Sequence, residues 1–444
     1  MSSIFTQDLR TQNAVDFNDL ISRQTANNRV YFTFGKPTAW ANDAAPDQAN
    51  TSVAVYNNMW NSMIGSKLVT GNEVKNAVKK TEWSANVVYQ VYDDCLCSTK
   101  LYGPNSKFHV VTSDWHVYKC LDNSSNSNST VMPTQVYVDK AIEESDGYVW
   151  RYMYTIPAED RIRFTTNYYI PIKYLKESDG SLQWQVQANA VPGAIESTII
   201  TNPGTNYTTA CTVTVTITGD GTGATALPRV NTQSNTISSI IISSKGSGYT
   251  HANVIISDSG TGVNATARAV LSPPGGHGSN PLFELGGSYL VLNPRLKGSE
   301  NGKFPTVNEF RQVSLLLNPK ERATNNAAAN VIYSQLVIAV LDTGITNYNQ
   351  DELVYQGPSL SSATFTGIVE NWDFANSEIR LTNTTGTIAA DVLVGANSGT
   401  SRFVQFVTDK ELKPYSGSML YINNLTPISR ADDQIEDFKI VMAF

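Results

Sequence analysis

Cysteine and histidine are scarce in this chain of 444 residues, with four of each. The cysteines, Cys95, Cys97, Cys120 and Cys211, are too sparse for a disulfide framework, so folding in a reducing cytoplasm is expected. Charge is thin as well: 16% of residues are charged, the net charge is -7 and the pI is near 5.2. No long Lys/Arg cluster offsets it, and a nucleic-acid backbone calls for a positive face, so direct DNA or RNA binding is disfavoured. No apolar run approaches the roughly 20 residues of a membrane helix. The opening MSSIFTQDLRTQN lacks the charged-then-apolar layout of a secretory signal.

What is present is a folded, strand-rich composition. Hydrophobic residues make up 41%, which excludes wholesale disorder. Abundant tyrosine, glycine, threonine and asparagine favour strands and turns over helices. The length suits about three domains. An amphipathic helix is expected near Ala14, Phe17, Leu20 and Ile21. A second should follow Thr51 or Ser52 as cap, with Tyr56, Met59, Trp60, Met63 and Ile64 at helical spacing and Gly65 as its stop. From Trp83 to Tyr174 short strands dominate; residues 115–121 alternate with period two, and Asn123 to Thr130 reads as a solvated loop.

After about Ala194 the composition shifts. Ile195–Val230 and Ile237–Val270 are two copies of one unit, IESTIITNPGTNYT and ISSIIISSKGSGYT, each followed by a Thr/Val/Ile strand and a GTG turn. Thr212–Thr218 (TVTVTIT) should place valines inward and threonines outward. Pro273–Gly278 reads as the exit linker. A second insert, from about Asn349 to Asp409, has the short strands and polar turns of a small barrel or roll.

Catalytic patterns are weak throughout. Cys95 and Cys97 with His116 and Cys120 are the sharpest zinc candidates, but their spacing matches no common zinc pattern. Whether these four bind metal stays open. Asp93 and Asp94 are adjacent, so on a strand they would face opposite sides. Asp432, Asp433, Glu436 and Asp437 read as a solvated acidic turn, without the ligand order of an EF-hand. Gly219–Gly223 and Gly260–Gly262 lack the Lys-Ser/Thr of a phosphate loop, and no G-x-S-x-G elbow occurs. The sequence therefore assigns no catalytic, cofactor-binding or metal residue, and no enzyme activity.

Four segments carry a resemblance: Tyr31–Trp40 (YFTFGKPTAW), Asp146–Pro157 (DGYVWRYMYTIP), Phe310–Pro319 (FRQVSLLLNP) and Ser416–Phe444. With MWNSMIGSKLV, VYKCLD and NYYIPI between them, the ordered set resembles the baseplate wedge subunit of T4-like contractile-tailed phages. That resemblance implies a mainly β, multidomain α+β protein with nested sandwich-like domains and a few short helices. It implies a core of 1–193, 281–348 and 410–444, into which 194–280 and 349–409 are inserted. It further implies a structural virion component, assembled in the host cytoplasm, that contacts other wedge proteins and forms a homodimer. It carries no cofactor. A carbohydrate-binding or carbohydrate-cleaving tail protein is the alternative, suggested by the tyrosines and the repeated module.

Overall fold

The computed structural model describes residues 4–298, 300, 302–305, 308–431 and 433–444. The protein is mainly β, with a few helices, several sheets and one closed barrel. The chain divides into two compact units, one of residues 1–16, 75–291 and 440–444, the other of 17–74 and 292–439. Both chain ends thus fall in the first unit.

The first unit contains a four-stranded sheet built around His116–Asn123 and Tyr148–Thr155, flanked by His109–Val111 and Ile142–Glu143. Period two is obeyed in His116–Asn123, but it does not separate core from solvent. Val117 and Leu121 enter one apolar cluster, while Tyr118 and Cys120 enter another. The strand is buried on both faces, which requires its polar members to be paired inside. Trp115 stands just outside it in a left-handed conformation, φ 63°. A second four-stranded sheet includes Tyr169–Pro171, Tyr289–Leu292 and the last strand, Ile440–Ala443.

The tandem repeat forms a six-stranded antiparallel sheet, three strands from each copy. Its centre is the pair Val213–Gly219 and Ala252–Asp258. There Val215 faces Ile256, Ile217 faces Val254, and Thr216 faces Ile255. Since Val215 and Ile217 correspond to Val254 and Ile256 when the two GTG turns are aligned, this register is a local two-fold axis. The outer strands are exchanged: Ile195–Thr205 of the first copy pairs with Val263–Leu271 of the second, and Thr236–Ser247 pairs with Thr222–Asn231. Two reciprocal bonds tie the exchanged strands together, Tyr207 N to Asn235 O at 3.0 Å and Tyr249 N to Gly193 O at 3.1 Å. The tyrosine hydroxyls repeat the exchange, accepting from Ala265 N at 3.4 Å and Ala224 N at 3.3 Å. The inward valines and outward threonines of 213–218 follow from the half-burial of this sheet. Pro273–Gly278 is no free linker, because His277 within it is fully buried.

The second unit has a five-stranded sheet, with Val30–Gly35 between Met63–Leu68 and Glu309–Leu317. Ser418–Ser429 and Ile332–Ser334 extend it on either side. Ser52 caps the helix Val53–Ser62, accepting from Val55 N at 3.3 Å. The expected continuation through Ile64 to a stop at Gly65 is wrong: the helix ends at Ser62, and Met63–Leu68 is a strand. Gly65 is needed for space, since a Cβ there would enter the Phe304 ring. The closed barrel takes its first strand from Val337–Leu341, ahead of residue 349, and includes Val392–Gly395, which the pattern of short strands did not reveal.

Candidate functional site

The zinc candidates do not converge. Cys95 and Cys97 are exposed, Cys120 is buried with its thiol pushed well up by burial, and His116 Nδ1 lies 2.7 Å from Thr155 Oγ1. Among the described residues, the one group with metal-ligand spacing is Asp93, Asp94 and Cys95. Its carboxylates already have a cation: both face Arg268, with Asp94 at 2.9 Å. They were expected to diverge as strand neighbours, but they lie in a turn, where that rule does not apply.

The acidic carboxy-terminal segment is a solvated turn only at Asp433. Ile435–Asp437 is a short strand against Arg295–Lys297, and Glu436 is buried with Arg430 at 2.9 Å. Asp437 meets Arg295 at 3.4 Å, and Asp432 lies outside the described residues.

The densest buried charge went unseen in the sequence. Lys119, from the doubly buried strand, donates to the Glu284 carboxylate and touches His277 Nδ1. Glu284 also accepts from Gly278 N at 2.7 Å and lies 3.1 Å from His277 Nδ1. Tyr92 closes the group, with the Lys119 ammonium 3.9 Å from its ring centre. All three charged or titratable side chains are almost wholly buried. Burial alone would raise the Glu284 carboxyl, but Lys119 and His277 hold it well below the usual range. Burial lowers the Lys119 ammonium against the pull of Glu284, and lowers His277 with help from Lys119. The arrangement is an ammonium, a carboxylate and a neutral imidazole sealed in a core, with nowhere for a substrate to reach. Its role is to satisfy a strand that has no solvent face. Only spatial neighbours distant in sequence could have revealed it.

In the second unit, buried Arg311 gathers the segment after the first strand. It donates to Asp43 at 2.9 Å, to Glu309 at 2.5 Å and to Pro37 O. Trp40 Nε1 donates to Leu425 O at 3.1 Å, so this aromatic clasps its own unit. Glu370 is the opposite case: 1% exposed, with neither carboxylate oxygen bonded, and pushed up to about 8 by burial. It sits where the register shifts between Val369 and Asn371.

These groups bind, brace and fill, and their partners come from the chain itself. Comparison with known proteins gives the functional context. The model of a family described as bacteriophage T4 Gp8 matches residues 3–138 and 123–202. Over residues 3–202, less than half of its length, the chain is similar to the Gp8 family. The baseplate wedge protein gp8 of Enterobacteria phage T4 is 22% identical over 223 residues, covering 42% of this chain and 66% of that protein. The Gp8 match ends inside the first repeat strand, Ile195–Thr205, and does not take in Phe310–Pro319 or Ser416–Phe444.

Proposed function

We propose that this protein is a structural subunit of a contractile-tail baseplate wedge, working by protein–protein contact and without catalysis. The observation that carries the reading is the Gp8 match over residues 3–202. Its support from the fold is chemical: apart from Glu370, the buried ionic groups described above are spent on internal neighbours, as in a scaffold that must stay rigid under load. The protein would reside in the virion baseplate after assembly in the host cytoplasm, with other wedge proteins as partners and a second copy of itself in each wedge. The repeat module (194–280) and the barrel, inserted into the wedge-protein core, would serve as added contact surfaces. No described helix is long and apolar enough to cross a membrane.

The test mixes the purified protein with the wedge proteins encoded beside it and weighs the products by native mass spectrometry. A stable complex containing two copies is expected. A chain that stays alone at micromolar concentration, in the presence of folded partners, would rule the proposal out.

A further inference from the structure

One face of the first unit reverses the charge of the whole molecule. An open groove of about 730 Å³ is lined by Lys79, Lys80 and Lys107 with Tyr168, and Glu82 is its one carboxylate. Lys80 answers Glu82 at 2.5 Å. Lys79 and Lys107 have no ion-pair partner among the described residues. Tyr168 is 75% exposed, the most exposed aromatic in the unit, and it holds its place through its backbone: Lys80 N donates to Tyr168 O at 2.8 Å.

A second hollow shares Lys80 and Glu82 and ends on Trp115. The indole lies between two cations, Lys80 Nζ at 5.8 Å and the Arg161 guanidinium at 5.3 Å from the ring centre. Its left-handed backbone is costly for a bulky residue, and such outliers persist where the surroundings over-determine them. The result is an aromatic platform between Lys80, already paired with Glu82, and Arg161, which has no ion-pair partner among the described residues. Ile162, on the helix that carries Arg161, adds an exposed apolar side chain.

We propose that this face docks an acidic, extended segment of a neighbouring baseplate protein. The occupant follows from charge: a net excess of lysine and arginine, on a chain whose net charge is -7, selects carboxylates over a generic surface. Aromatic platforms beside it supply contact area at small entropic cost. Nucleic acid fits less well, because Glu82 interrupts the positive face and no stripe of cations tracks a backbone. The inference rests on the wedge reading only for the partner's origin.

The experiment follows fluorescence anisotropy of a labelled Asp/Glu-rich 12-residue peptide with the full-length protein. Controls are a neutral peptide and a single-stranded DNA 20-mer. Saturable binding that weakens with salt is expected. The combined Lys79→Glu, Lys107→Glu and Arg161→Glu chain should lose at least tenfold in affinity, with an unchanged melting curve because these side chains are not core residues. Trp115→Asn, which tolerates the left-handed backbone, should lose severalfold. Equal binding by the charge-reversed chain, or tighter binding of the DNA than of the peptide, overturns the inference. Wedge mixing separates the two ideas. If the wild-type chain joins its partners and the charge-reversed chain joins equally well, this inference fails and the function stands. If the wild-type chain does not join, the function itself fails.

Discussion

One buried carboxyl from each unit shows two contrasting ways of burying charge. In the first, Lys119, Glu284 and His277 are sealed together, each supplied with a partner. In the second, Glu370 is sealed alone, with Arg380 as its nearest cationic influence and Asp351 opposing it. The difference shows that burial by itself does not set a group's ionisation. Compensation decides whether a carboxyl is driven below its normal range or far above it. It also sets opposite responses to pH. Glu284, lowered in the folded state, contributes stability above its unfolded value near 4.5, and loses it as pH falls below that. Glu370, raised to about 8, favours the protonated folded state, so its unit loses stability as pH rises from about 4.5 to 8.

The largest effect should come from Lys119→Met. Removing the ammonium leaves Glu284 buried without its main partner, and a loss of about 3–5 kcal/mol is expected in urea unfolding. Replacing both, Lys119→Met with Glu284→Leu, should recover most of that loss. If it does not, the pair is more than mutual compensation. Glu370→Gln should do the reverse and stabilise its unit. The gain approaches roughly 1.4 kcal/mol for each unit by which the folded value exceeds the unfolded one, reaching a few kcal/mol at pH 8.5 and nearly vanishing below about pH 4. A pH-independent effect would show that Glu370 stays ionised. The smallest change belongs to Asp94→Asn, on the partly exposed pair with Arg268, where less than about 1 kcal/mol is expected from thermal melts. A larger loss would mean that Arg268 anchors the repeat sheet more tightly than its exposure suggests.

Local signals were legible where local physics decides. The cap could be narrowed to Thr51 or Ser52, of which Ser52 serves, because a hydroxyl before an apolar helical stripe satisfies a free N–H. The repeat was visible because its two copies share residues in order, and TVTVTIT announced a half-buried strand. Gly65 was misread because glycine after a helix and glycine under an aromatic ring look alike in one dimension. The strand exchange was invisible, since partner choice among similar strands is a non-local matter. Lys119 was only one position of an alternating strand, and His277 part of a linker, because nothing in the sequence reports which distant groups meet in the core. The basic groove escaped notice for the same reason: Lys79 and Lys80 meet Lys107 and Tyr168 only in the fold.

The exchanged outer strands of the repeat sheet carry a consequence for how such a module arises and fails. A fragment holding one copy would form its own hairpin yet leave its long first strand without an edge to join. Two fragments of that kind complete each other across the Thr216–Ile255 axis, making an intermolecular dimer with the same ladder that now lies within one chain. Duplication therefore turns a symmetric association into a single gene product, and a break between the copies would turn it back.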